Sequence, residues 1–162
     1  MRQAELVRGL ADEEIAEIEA EIAHLPDRES AAIDALMIVQ KHRGWVSDTS
    51  LHAIAQLLDM SSDALDSIAT FYNLIFRQPV GRHVVMVCDS VSCYVMGADG
   101  LGKAIQEHLG IAFGGTTDDD RFTLLPIVCL GACDKAPTMM IDEELIENVA
   151  VERLGEIFGR FD

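Results

Sequence analysis

Apolar positions recur at helical spacing through the first half of the chain and then switch to short continuous runs. Ile15, Ile18, Ile22 and Leu25 form a three–four stripe that predicts a helix over residues 12–25. Asp12, Glu13 and Glu14 suit its positive N-terminus, and Pro26 stops it. The stripe expects to pack on neighbouring helices, with a partner protein as the rival acceptor. Residues 28–43 predict a second helix that buries Ile33, Leu36, Met37 and Val39 and ends at Gly44 as a C-cap. A third runs from about Thr49 to Leu58. A fourth opens behind Ser61 as N-cap and buries Leu65, Ile68, Ala69 and Tyr72. These four make a helical bundle without a chemical motif of its own. His24, His42 and His52 lie on it at spacings that form no ligand set and read as surface or satisfied side chains.

The helical pattern breaks at Phe76-Arg77-Gln78-Pro79-Val80-Gly81, which marks a boundary between residues 1–80 and 81–162. His83–Val87 is a β-branched apolar run and predicts a buried strand with Cys88 at its end. A loop carries Cys93. Gly97 and Gly100 lead into a helix with Leu101, Ala104, Ile105 and Leu109, capped by Gly110. After the polar turn 114–120, Phe122–Val128 predicts the next strand, and Pro126 confines it to an edge or a bulge. Cys133 follows in a loop closed by Pro137. Thr138–Ile141 and Leu145–Glu147 predict two short strands, and Val151–Phe161 a terminal helix. The class is α+β, a helical bundle followed by a small sheet with helices against it.

Four cysteines stand in two local pairs, Cys88-x4-Cys93 and Cys129-x3-Cys133, with 35 residues between the pairs. Both pairs follow strand ends, so one end of the sheet can hold a single centre with two ligands from each loop. Structural zinc favours Cys-x2–4-Cys pairs, commonly tight knuckles with two intervening residues. The gaps here are looser and suit an iron–sulfur rhomb with each pair gripping one iron. Zinc, and two disulfides in an oxidising compartment, stay open as rival readings. The thioredoxin-type Cys-x2-Cys spacing is absent.

Composition narrows the partners. An apolar content of 49% with 25% charged residues is globular. The net charge of −16 argues against nucleic acid. An acidic body also suits docking on a basic partner surface. No run approaches the length of a membrane span, and the N-terminus has neither an apolar signal core nor the character of a transit peptide.

At Ala69–Tyr72 (ATFY), CDSVSC, Asp120–Pro126 (DRFTLLP) and Cys129–Pro137 (CLGACDKAP), the sequence resembles the thioredoxin-like [2Fe–2S] proteins. More narrowly, it resembles the E-type subunits of bacterial NADH:quinone oxidoreductase (complex I), counterparts of the mitochondrial flavoprotein 2 subunit. The likeness covers nearly the whole chain. It implies a thioredoxin-like fold for residues 81–162 and one [2Fe–2S] cluster on Cys88, Cys93, Cys129 and Cys133. It further implies a one-electron site in an oxidoreductase complex, with no complete active site on this chain. By the same resemblance, FMN and NADH are held by a companion subunit. A further iron–sulfur subunit is the other neighbour, and the location is the cytoplasmic side of the inner membrane. The chain itself has no GxGxxG after a strand; Gly97 and Gly100 have the wrong spacing. Two departures from the family pattern are Asp118-Asp119-Asp120 before the Arg-Phe, and Tyr94 where relatives often have histidine. The small subunit of a soluble NAD-linked formate dehydrogenase or bidirectional hydrogenase shares the ligand pattern and is the alternative assembly. A four-cysteine zinc interaction module is the alternative from another class.

Asp89 and Asp134 each follow a cysteine directly. Turned toward a cluster, they would oppose its reduction; turned to solvent or capping a turn, they would not. Ser90, Ser92 and the N–H groups around Gly131 work the other way, as candidate donors to sulfur, and Lys135 is placed to offset Asp134 in part. Gly131 is expected to let the loop close over sulfur for want of a side chain.

Overall fold

The computed structural model describes residues 9–161. Two compact units divide the chain, the first ending at Pro79 and the second beginning at Val80. Among the described residues, no helix is long and apolar enough to cross a membrane.

The first unit holds four helices, α1 (Asp12–Ile22), α2 (Ala32–Arg43), α3 (Asp48–Leu57) and α4 (Ser62–Phe71), with a 3-10 turn at Glu29–Ala31 leading into α2. Its core gathers Ile18 with Ala35, Leu36, Val39, Ile54, Leu58 and Leu65. Ile15, Ile22 and Leu25 pack against that core, so the apolar stripe of α1 is consumed inside the bundle rather than offered to a partner. On α2 the buried positions are Ala32, Ala35, Leu36 and Val39, one complete i, i+3, i+4, i+7 face. Met37 falls off that face and is exposed, and Ile33 is only half-buried, contrary to the expectation for both. Tyr72 is likewise half exposed, because α4 stops at Phe71 and the chain turns extended there. The caps are as the sequence predicts. Ser61 Oγ accepts from the Ala64 N–H, and Gly44 closes α2 at φ +81°.

Polar side chains clamp this bundle from within. Glu14 in the first turn of α1 is buried and turns back to accept the Ala11 N–H at 2.7 Å. It also takes a two-pronged bond from Arg43 on α2, at 2.6 and 2.5 Å, while Arg43 reaches the buried Ser50 hydroxyl on α3 at 3.1 Å. Arg77 similarly fixes the chain after α4, donating to the Val46 carbonyl and pairing with Asp66 and Asp48. His42 meets Glu17 and His52 meets the Asp48 carbonyl; His24 is exposed.

The second unit is a four-stranded sheet in the order β2-β1-β3-β4, from β1 (His83–Cys88), β2 (Phe122–Ile127), β3 (Met139–Ile141) and β4 (Glu144–Ile146). Strands β1 and β2 are parallel, and the two other pairings are antiparallel. Between β1 and β2 lie α5 (Val91–Val95) and α6 (Ala98–Leu109); α7 (Leu154–Phe158) closes the chain after a 3-10 turn. The long terminal helix expected over 151–161 is thus a turn and five residues. Val85, Val87, Phe122, Leu124, Met139 and Ile141 pack with Leu101 and Ile105 of α6 and Ile157 and Phe158 of α7. Central β1 is buried along nearly its whole length. Pro126 sits on the edge strand, as its missing N–H requires.

Burial works against the Glu14 carboxylate, but the Arg43 guanidinium and the Ala11 N–H outweigh it and hold the group below its ordinary range. A depressed folded value contributes stability above the unfolded value, and that stability is lost as pH falls through the folded one. Replacing Arg43 by Ala leaves the carboxylate buried and unpaired. We expect a loss of about 2 kcal/mol at neutral pH, below the range for fully buried pairs because Arg43 is partly exposed. The difference from wild type should narrow in acid, where protonated Glu14 needs no cation. Urea denaturation of both proteins at the two pH values measures it.

Candidate metal centre

Parallel pairing fixes where the cysteines fall. Cys88 is the last residue of β1 and stands in register with Ile127, the last of β2. Both strands therefore deliver their following loops to the same edge of the sheet. The Asp89 N–H donates to the Ile127 carbonyl at 3.0 Å and the Cys88 N–H to the Thr138 carbonyl at 3.2 Å, so the end of β1 is tied to both flanking segments. Cys129 lies two residues beyond β2, and Cys133 opens a 3-10 turn. The loop then passes a cis Ala136–Pro137 bond into β3. Backbone bonds from Asn148 to the Lys135 carbonyl and from Val149 to the Pro137 carbonyl hold it from the far side. Cys93 departs from expectation: it sits inside α5, a single helical turn, rather than in a loop.

The two pairs differ in surroundings. Cys88 and Cys93 are each 1% exposed, whereas Cys129 and Cys133 are open to solvent. The Cys93 sulfur lies 3.4 Å from the hydroxyl of Thr138, itself buried. The Cys88 thiol reaches the Val128 carbonyl at 3.7 Å, and the Ser90 and Leu130 N–H groups face its sulfur. That contact joins the first pair to the second loop. Burial pushes the Cys88 thiol above its ordinary range, and the adjoining Cys93 adds to this. Burial acts on Cys93 in the same direction, but hydrogen bonds from the Thr138 hydroxyl and backbone and from Cys88 bring it below its ordinary range. Of the two, the surroundings thus favour the charged form more at Cys93 than at Cys88.

In the open pair the two sulfurs are 3.9 Å apart, and the Gly131 N–H donates to Cys129 at 3.3 Å. Gly131 adopts φ +80°, and a side chain there would meet nothing within 4 Å. The glycine thus serves the left-handed turn that aims its N–H at sulfur, not the close approach expected of it. Asp89 and Asp134 are both exposed, which favours the solvent-facing alternative for them.

Among the described residues, no three His, Cys, Asp or Glu side chains converge on one point. Two pairs of thiols, linked through Leu130 and Val128 and supplied with N–H donors, suit a four-thiolate dinuclear cluster. The donor set fits that group.

A further feature was not legible as a pattern. Val91, Tyr94, Val95 and Met96 on and after α5, and Val128 before Cys129, are 60 to 75% exposed. These five side chains, close to Cys93 and Cys129 in the chain, make an exposed apolar collar on the cysteine-bearing segments. In sequence, only the shortness of α5 between Cys88 and Gly97 hinted that these residues lack room to be buried.

Comparison with known proteins identifies the family. Residues 18–162 match the family model of the thioredoxin-like [2Fe–2S] ferredoxins. The E-type subunit of NADH-quinone oxidoreductase from Escherichia coli (strain K12) is 50% identical over 144 residues, covering 89% of this chain and 87% of that one. Its counterpart from Pseudomonas aeruginosa is 49% identical, covering 99% of each. Among solved structures, an NAD+-reducing [NiFe]-hydrogenase in the air-oxidised state superposes with a TM-score of 0.66 at 20% identity. That match covers 78% of this chain but 22% of the hydrogenase chain, and shows likeness of fold alone. The chain belongs to the thioredoxin-like [2Fe–2S] ferredoxin family, among relatives that are E-type subunits of NADH-quinone oxidoreductase.

Proposed function

We propose that this chain is the one-electron iron–sulfur subunit of the NADH-oxidising module of a respiratory NADH:quinone oxidoreductase, on the cytoplasmic side of the membrane. The observation that carries the reading is the delivery of two cysteine pairs to one sheet edge, in a chain about half identical to E-type subunits over nearly its full length. Cys88 and Cys93 hold one iron, and Cys129 and Cys133 the other. When bound, the [2Fe–2S] group supplies a site that accepts and releases a single electron. The residues of this chain set its surroundings. Thr138 donates to Cys93, the Ser90 and Leu130 N–H groups serve Cys88, and the Gly131 N–H serves Cys129. Each donor stabilises negative charge on sulfur, which grows on reduction. The soluble hydrogenase-type assembly remains the second reading, on fold likeness.

The partner follows from the collar. Five apolar side chains left in water on the segments that carry the cysteines are unfavourable in an isolated chain, and exposed apolar groups of this kind mark interaction sites. We assign this surface to the flavin- and NADH-binding subunit. Covering it would dry the metal centre and bring it beside the flavin. A further iron–sulfur subunit of the same complex is the second expected neighbour. We also propose that the two units are separate domains, the metal centre belonging wholly to residues 80–162.

Two measurements test this. Replacing Val91 and Val95 together by Asp should weaken binding to the flavin-bearing subunit roughly thirtyfold, about 2 kcal/mol for central apolar contacts. Circular dichroism and visible absorbance should stay as in wild type; unchanged affinity would remove the collar from the interface. Separately, Thr138→Val keeps the shape and deletes the donor to Cys93. One hydrogen bond is worth roughly 1 kcal/mol, and a one-electron tenfold shift is about 59 mV. The midpoint potential should therefore fall by some tens of millivolts with the cluster intact, read by potentiometric titration followed by electron paramagnetic resonance. A potential equal to wild type would mean that the hydroxyl does not serve the reduced state.

A further inference from the structure

We infer that Cys129 and Cys133 form a reversible disulfide in the cluster-free chain, while Cys88 and Cys93 stay thiols. The disulfide itself rests on thiol geometry; its consequence for cluster loading rests on the function proposed above.

The two pairs offer different chemistry. Cys129 and Cys133 are both exposed, with sulfurs 3.9 Å apart. A disulfide needs about 2.05 Å, so the sulfurs have roughly 1.9 Å to close. The Gly131 N–H donates to the Cys129 sulfur at 3.3 Å and orients it in the exposed turn; in exchange the attacking species is a thiolate. Its neighbour stands in place to complete the reaction. The other pair is sealed. Cys88 and Cys93 are each 1% exposed and engaged with Val128, Thr138 and one another, beyond reach of a soluble oxidant.

The oxidant is a low-molecular-weight disulfide. The Cys129 thiolate attacks one of its sulfurs, forming a mixed disulfide and expelling one thiolate. Cys133 loses its proton and attacks the Cys129 sulfur, expelling the second. In sum, two protein thiols and one small disulfide give one protein disulfide and two small thiols; two electrons pass from the cysteines to the oxidant. An exposed bond of this kind is equally open to reduction. A chain oxidised this way keeps two of its four ligands out of use until a dithiol restores them, so cluster loading becomes conditional on a reducing environment.

The full-length chain, freed of metal by chelation under reductant and desalted without air, is treated with oxidised glutathione. Remaining thiols are alkylated before and after denaturation, and peptides are mapped by mass spectrometry. We expect near-complete loss of the two thiols accessible in the folded chain, with a link between Cys129 and Cys133. Cys88 and Cys93 should be labelled only on denaturation. Cys133→Ser should stop at the first step, with glutathione held on Cys129. Four free thiols after prolonged exposure, a Cys88–Cys93 or cross-pair link, or no adduct in Cys133→Ser would each overturn the inference. Iron and sulfide are then offered to both forms. The oxidised chain should take up none until treated with dithiothreitol; equal uptake by both would overturn the proposed gating. Failure of the reduced chain to load would instead count against the cluster assignment and leave the disulfide standing.

Discussion

The parallel pairing of β1 with β2 is the constraint on which the metal centre depends. Antiparallel neighbours would send their following loops to opposite edges of a sheet, whereas parallel ones send them to the same edge. Here the register runs from His83 opposite Phe122 to Cys88 opposite Ile127, so both strands end together. A slip of one residue would turn Cys88 to the other face and out of reach of the Val128–Leu130 loop. The core beneath holds the register. Val85 and Val87, with Leu124 and Met139, are locked against α6 and α7, and moving β1 would expose them.

Burial then divides the four thiols into two kinds. Cys88 ends a central strand and Cys93 lies in a helical turn directly behind it, so both inherit the dryness of the sheet. Cys129 and Cys133 lie past an edge strand, where nothing of the second unit covers them. Donors are placed accordingly: Thr138 offers hydroxyl and backbone to the buried Cys93, and the left-handed turn at Gly131 offers an N–H to the open Cys129. The exposed apolar side chains of α5 and Val128 lie on the same segments as Cys93 and Cys129.

Much of this was legible in the sequence because the signals were local. Caps at Ser61, Gly44 and Gly110, the break before His83, and cysteines after strand ends all rest on residues close in the chain. What the sequence concealed depended on distant partners. Glu14 reads as one of three acids favouring a helix start, yet only Arg43, 29 positions away, explains its burial. Met37 reads as core by composition, but the phase of α2 puts Ala35 and Leu36 inward instead. Thr138 carries no motif; its importance comes from β3 lying antiparallel beside β1, which brings it to Cys93. The Cys129–Pro137 segment offered its chemistry plainly, though not the distinction between the buried pair and the open one.

The central claim is that these four thiols hold two bridged irons rather than one zinc ion. The direct measurement is iron, zinc and acid-labile sulfide in the full-length chain purified without air, with electron paramagnetic resonance after dithionite reduction. The account predicts a reddish-brown protein with two irons and two sulfides per chain, free of zinc, and an axial or rhombic spin-half signal on reduction. A colourless protein with one zinc per chain and no sulfide would contradict it.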